Sequence, residues 1–390
     1  MKQGWEVKKL GDVCELYQPK TISSKEMVDY GNYPVFGANG IIGKYDKYNH
    51  EEPQLLITCR GATCGSINIS EPKSWINGNA MVVRPKDNSL SLKFIEYLFL
   101  GGIDISKTIT GAAQPQITRQ SLSPVLISYP NSIQEQQRIV AILDEAFAAI
   151  AKAKVNAEEN LKNAAALFES YLQGVFDNKG DGWEEKSLGE IASFRNGMNF
   201  TKSSKGEKIN IVGVKDFKNS FWVPFETLET VVLDGKLNEF DLLREGDILA
   251  VRSNGNPQLI GRTLLASKVE GKVSHSGFTI RIRLNVENID PIYLCNYLKI
   301  PKTRKILVDG GNGVGIKSLN QGSLSALIIP FPKSLKEQQT IVQKLDILST
   351  EIKKLEVIYQ QKINDLEELK KSVLQKAFSG ELKTLNKVLL

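Results

Sequence analysis

Between Gln134 and Phe176 apolar residues recur at alternating steps of four and three. Ile139, Leu143, Ala146, Ile150, Ala153 and Ala157 lead, and the frame runs on through Asn160, Ala164, Leu167 and Tyr171. No proline interrupts the stretch, and its only glycine is Gly174. This spacing predicts one long amphipathic helix with a coiled-coil seam. A second such frame stands at Ile341, Leu345, Leu348, Ile352, Leu355, Tyr359, Lys362, Leu366, Leu369 and Val373. Ser132 and Ser334 precede the two helices, with Glu135 and Glu337 three residues on, which predicts a capping box at each start.

The two helices are copies. EQQRIVAILD begins at Glu135 and EQQTIVQKLD at Glu337, an offset of 202 residues, and SYLQGVF and SVLQKAF keep that offset. So do GAAQPQITRQSLSPVLISYP at Gly111 and GVGIKSLNQGSLSALIIPFP at Gly313. Further upstream GWEVKKLGDV at Gly4 answers GWEEKSLGEI at Gly182 at an offset of only 178, so the front part of the first half is 24 residues shorter. The chain is a tandem duplication whose halves each have a divergent front and a similar back.

The two seams differ in bulk. Where the first carries Ala146, Ala153, Ala157 and Ala164, the second carries Leu348, Leu355, Tyr359 and Leu366. A thin helix against a thick one fills an interface to native density, so the helices are expected to pair with each other inside one chain. Two similar halves paired through equivalent helices close most simply as a pseudo-two-fold with the helices antiparallel. The front parts read as mixed α and β. Strands are predicted at QLLITC, GSINIS and AMVVRP in the first and at DILAVRS, RTLLAS and FTIRIRLN in the second, with helices at LKFIEYLFL and PIYLCNYLKI. Loops are expected at VFGANGIIGKYDKY, CRGATCG, RSNGNPQLIG and DGGNGVGIK. The fold class is therefore α+β: two mixed α/β heads joined by two long helices in an intramolecular antiparallel coiled coil. Expected domain bounds are 1–130, 131–181 for the first helix and linker, 182–332, and 333–390.

Charge adds a partner class. The first helical stretch has four basic and six acidic residues and the second eight and seven, while the whole chain is +6. The positive charge therefore sits outside the helices. Two mildly basic heads suit a polyanion with two sub-sites, and duplex DNA is the obvious one. Four cysteines (Cys14, Cys59, Cys64, Cys295) make neither a disulfide framework nor a zinc pattern, and reduced thiols of a cytoplasmic protein are expected. No apolar run is long enough for a transmembrane helix. No phosphate loop, HExxH or histidine triad is present. Asn256-Pro257 lacks the rest of an adenine-methyltransferase tetrapeptide, and GNGVGI does not sit in a βαβ unit.

Over its full length the chain resembles the specificity subunit of type I restriction-modification systems. The marks are GWEVKKLGDV and GWEEKSLGEI opening each half, YPVFGANGIIGKYDKY, LLITCRGATCG and DILAVRSNGNPQLIGR in the heads, the two decamers, both SxLQxxF frames, and FSGEL after the second helix. The resemblance implies that each head is a target recognition domain for one half of a split DNA sequence. It implies that the helices space the heads and dock two modification subunits, which bind S-adenosylmethionine and methylate adenine, and that motor-nuclease subunits join for cleavage. It also implies a chain without catalysis or cofactor of its own. One departure stands out: the first head's GAAQPQI is answered by GVGIKSL, without either glutamine.

Arg, Asn, Gln and Ser on Gly-rich loops are the side chains that read base edges and hold phosphates. The DNA-contact candidates are Asn39, Arg60, Thr63, Asn79 and Gln114 in the first head. In the second they are Lys215, Arg252, Asn254, His275 and Lys317. Arg60 and Arg252 are expected at matching places after a strand. Two other classes stay open: a nuclease with a site of its own, and a bivalent adaptor that binds protein partners without reading DNA.

Overall fold

The computed structural model describes residues 4–37, 39–111, 114–200, 204–218, 220–233, 237–309 and 318–382. They fall into two compact units, Met1–Glu158 with Gln360–Leu390, and Glu159–Tyr359. The boundary cuts both long helices, Ile133–Asp177 and Leu335–Ser379, so each unit holds one head and a part of each helix.

The first head opens with β1 (Trp5–Lys9) and β2 (Cys14–Tyr17), then β3 (Tyr33–Gly37), β4 (Gly40–Tyr45), β5 (Leu55–Thr58), β6 (Ile67–Ile69), β7 (Trp75–Ile76), β8 (Ala80–Pro85) and β9 (Leu126–Pro130). These make a β1-β9 pair, a four-stranded sheet β2-β8-β5-β6 and a three-stranded sheet β4-β3-β7. The second head follows with β10 (Trp183–Ser187), β11 (Ala192–Asn196), β12 (Lys208–Val212), β13 (Glu229–Val232), β14 (Ile248–Val251), β15 (Thr263–Leu265), β16 (Val273–His275), β17 (Thr279–Leu284) and β18 (Ile328–Pro332). Its sheets are β10-β18, β11-β17-β14-β15 and β13-β12-β16. The two heads therefore share one topology, including the parallel β3/β7 and β12/β16 pairs.

The central strands explain why QLLITC and DILAVRS read as unbroken apolar runs. Leu55 and Ile57 face the main core of the first head, while Leu56 faces the smaller core with Phe36 and Ile76. Ile248 and Ala250 face one core of the second head, and Leu249 and Val251 the other. A strand covered on both faces has no polar side to alternate with. VFGANGIIGKYDKY, expected as a loop, is instead the β3/β4 hairpin, with a bulge between Val35 and Phe36. Its strand signal was hidden by the glycines that serve the hairpin turn. A helix at Pro301–Asp309 follows the expected Pro291–Lys299.

Each head is bound to helix ends. In the first unit Phe94 and Leu98 of the head share a core with Ile139 and Leu143 of the first long helix and with Leu374 and Ala377 of the second. Gly101 and Gly102 permit this approach: a Cβ there would stand 2.9 Å from Leu374 and 2.6 Å from Phe378. In the second unit Tyr293 and Leu294 pack with Leu172 and Phe176 and with Val342 and Leu345.

The helices run antiparallel within the first unit. Lys154 Nζ meets Glu367 Oε1 at 2.5 Å, and seven residues earlier Phe147 lies under Lys370. The thin seam is buried at Ala146, Ala157 and Ala164. The expected heptad frame fails toward its C-terminal end, however. Leu167 and Tyr171 are 56% and 41% exposed, and Leu172 and Phe176 turn inward instead; on the second helix Leu369 is 40% exposed and Leu374 buried. A straight α-helix drifts about 20° per heptad from a 3.5-residue repeat. Over about four or five heptads that amounts to roughly one residue of slip, which is the shift seen.

The capping boxes are incomplete. Glu135 N–H donates to Ser132 Oγ at 3.4 Å, but the Glu135 carboxylate is taken by Arg138. Glu337 N–H donates to the Ser334 backbone oxygen, and the Glu337 carboxylate accepts the Trp183 indole N–H at 3.2 Å. The decamer is tied elsewhere. Gln136 is fully buried: its amide donates to Ser89 O and Pro130 O, both at 2.8 Å, and accepts from Ser91 N–H at 2.9 Å. Gln338, also fully buried, donates to Asn288 O at 2.9 Å and Pro332 O at 2.8 Å and accepts from Asp290 N–H at 2.8 Å. One side chain thus satisfies three backbone groups where head meets helix. The adjacent Gln137 and Gln339 are exposed.

Candidate nucleic-acid interface

The first head's five candidates converge on the end of β5. Thr58, its last residue, donates its hydroxyl to Asn39 Oδ1 at 3.1 Å. Cys59 N–H donates to Asn79 O at 3.2 Å, and Cys59 O accepts from Ile117 N–H at 2.9 Å. Arg60 forms a β-bridge with Gln116, and Gly61 N–H donates to Pro115 O at 3.1 Å, which brings Gln114 alongside. Thr63 sits in the turn closed by Ser66 N–H on its carbonyl. All five side chains are exposed. Gly61 at φ +89° and Gly65 at φ +91° make this loop possible, because an L side chain rarely adopts that backbone.

The second head builds the same place from different residues. Arg252 N–H donates to Phe278 O at 2.8 Å, and Arg252 O accepts from Leu319 N–H at 2.8 Å. Those are the bonds that Cys59 makes to Asn79 and Ile117. Arg252 therefore answers Cys59, not Arg60, and the expected match is one residue out. Successive residues on an extended chain point to opposite sides, so Arg60 and Arg252 are not equivalent; Arg252 is half-buried. Asn254 Oδ1 accepts from Asn256 N–H at 2.8 Å. Lys215, on the turn after β12, is exposed and paired with Glu229 at 2.5 Å. Lys317 lies outside the described residues.

His275 is withdrawn as a DNA contact. It is 1% exposed on β16, where its partner Val212 places it at the register held by buried Ile76 in the first head. Its Nδ1 lies 2.9 Å from Thr279 Oγ1, whose hydroxyl donates to Ser276 O, so Nδ1 carries the proton. Arg195, Arg281 and Arg283 surround it, offset by Asp241, which pairs with Arg195, and Asp247, which pairs with Arg283. Burial first, and then the three cations, hold its pKa down to about 3. The unfolded chain takes up this proton near the ordinary value of 6.5. The stability contribution is therefore full above that pH and is lost as pH falls toward 3, at about 1.4 kcal/mol per pH unit. Calorimetry of His275→Ile, the residue of the first head, should show a smaller fall in Tm between pH 7 and pH 5 than wild type. Parallel falls would mean that His275 protonates freely in the folded protein.

Burial pushes the Cys14 thiol up to about 12 and also raises Cys59 and Cys64, so these are not activated nucleophiles. Among the described residues no cluster of three or more His, Cys, Asp or Glu could hold a metal. No described helix is long and apolar enough to cross a membrane.

Sequence reading missed two kinds of residue. Gln136 and Gln338 were signalled by strict repetition of a polar pair inside an amphipathic pattern. Phe278 was signalled by an aromatic at a turn, where the other head has Asn79.

One topology used twice, with polar loops gathered at the same strand end and changed in content, defines a duplicated recognition scaffold. The chain belongs to the type I restriction modification DNA specificity domain family, whose model matches residues 2–160 and 180–368. It is 26% identical over 362 residues to the type I restriction enzyme StySPI specificity subunit of Salmonella potsdam, covering 89% of this chain and 73% of that protein. Its fold is similar to that of the HsdS subunit of Thermoanaerobacter tengcongensis, at a TM-score of 0.61, 20% identity and 98% coverage of both chains. It is also similar to a chain solved in work on complex assembly and conformational transition of the type I restriction-modification system. There the TM-score is 0.76 at 19% identity, with coverage of 98% of this chain and 99% of the other. The chain is a DNA sequence-specificity subunit of a type I system, a non-catalytic recognition protein.

Proposed function

We propose that residues 1–130 and 182–332 each read one half of a bipartite DNA sequence, and that the long helices set the unread spacer. Two modification subunits dock on the helices and supply S-adenosylmethionine and the methyl transfer, and motor-nuclease subunits complete the cytoplasmic complex. The observation that carries the reading is the convergence of Asn39, Arg60, Thr63, Asn79 and Gln114 on one strand end. The equivalent end of the second head repeats the two backbone bonds of Cys59, to Phe278 and Leu319, with different side chains. That is the arrangement expected of two readers with one frame and two target sequences, with phosphate contacts fixing position and base contacts fixing sequence.

Arg60 gives the direct test. It is exposed, and among the described residues no side-chain partner restrains it. Arg60→Ala should leave Tm unchanged and weaken DNA binding by about 1–3 kcal/mol, with relaxed specificity at one position if the contact is to a base. Binding by the assembled complex should also fall with salt, because neutralised phosphates release counterions. Unchanged affinity in Arg60→Ala would remove that residue from the interface, and binding without salt dependence would favour a protein adaptor.

A further inference from the structure

The heads can be matched residue for residue at the turn that enters β8 and β17. Asn79 O receives Cys59 N–H in the first. Phe278 O receives Arg252 N–H in the second, and Ser253 N–H at 3.3 Å as well. Backbone position is kept between the heads while side-chain chemistry is inverted, from an amide to a phenyl ring. Phe278 is 60% exposed. A lone exposed aromatic is ordinary, but this one borders a cavity of about 480 Å³. Phe200, itself 36% exposed, and Ile211, Val214, Lys215 and Asn254 line the same cavity. Asn254 Oδ1 is occupied by Asn256 N–H, so the Asn254 amide has its N–H donors to offer. Lys215 keeps an ammonium there beside Glu229.

Along the base edges of the major groove nearly every group that such a surface meets is a hydrogen-bond donor or acceptor. The exception in the major groove is the C5-methyl of thymine, for which apolar side chains such as Phe are the matching contact. We propose that Phe278, with Phe200, receives a thymine C5-methyl in the half-site read by the second head, which makes Phe278 a specificity-determining residue. The proposal rests on the reading of that head as a DNA-reading surface. It accounts for an aromatic at a position where the other head places an amide: the two half-sites differ there in the group to be read.

The test uses the full chain assembled with its modification subunits. Binding is measured at one fixed salt concentration to duplexes in which each thymine of that half-site is replaced, one at a time, by deoxyuridine, which lacks only the methyl. One replacement should weaken wild-type binding about four-fold, the effect of one buried methyl group. Phe278→Ala should bind the thymine duplex about ten-fold more weakly and no longer distinguish the two bases. Phe278→Leu, which keeps an apolar contact, should retain part of the discrimination and guards against misreading a folding defect in the alanine variant. Discrimination that persists undiminished in Phe278→Ala, or a half-site read without sensitivity to any thymine methyl, would overturn the thymine contact alone. A complex indifferent to every base change in that half would refute the reading of the head itself.

Discussion

Gln136→Leu is expected to lower the stability of the first unit by about 2–4 kcal/mol. The substitution removes three hydrogen bonds and leaves Ser89 O, Pro130 O and Ser91 N–H facing an apolar side chain. A net hydrogen bond is worth about 1 kcal/mol, and a buried group left unpaired costs about 1–3 kcal/mol. For a unit of this size the shift corresponds to a fall of roughly 5–15 °C in Tm. Gln338→Leu should act in the same way on the second unit, through Asn288 O, Pro332 O and Asp290 N–H. Gln137→Leu and Gln339→Leu, one position on in exposed sites, should change stability by less than about 0.5 kcal/mol. Thermal melts of the four variants separate the clamp from a generic demand for glutamine at a helix start. Equal effects at the buried and exposed positions would remove the clamp.

Seven residues added to both long helices, after Ala157 and after Tyr359, are expected to change the spacer of the methylated motif and neither half-site. Both insertions fall at the boundary between the compact units, away from either head's core. Seven residues are two turns to within about 20°, so buried and exposed faces are kept. They add about 10 Å of helix, against about 34 Å for ten base pairs, so the spacer should lengthen by about one to three base pairs. Each added base pair also turns the second half-site by about 34–36°, which the complex must absorb by bending DNA or flexing helix, so activity should fall as the motif shifts. Methylome sequencing of a host carrying the variant reads the motif directly. An active variant that kept the original spacing would make the helices a docking surface and not a ruler.

The repeated decamer shows how far the chain alone could be read. Two helices, their lengths, their pairing and the duplication are written in local pattern: apolar steps of four and three, absent prolines, and similar words at one offset. The central strands were legible too, because a strand buried on both faces must be apolar throughout. The β3/β4 hairpin was not, because its glycines and polar residues have the composition of a loop and only pairing with β7 gives it a sheet.

Register was decided by packing. The seam expected at Leu167 and Tyr171 moved to Leu172 and Phe176, since a heptad count accumulates an error that only three-dimensional contact reveals. Arg252 took the place of Cys59, and His275 that of Ile76, because hydrogen-bond ladders and not sequence distance set equivalence between divergent heads. The sequence by itself determined the duplication, the helices and the kind of side chain carried by the candidate loops. Which of those side chains face solvent together was settled only by the tertiary structure, because exposure depends on contacts between residues distant in the chain.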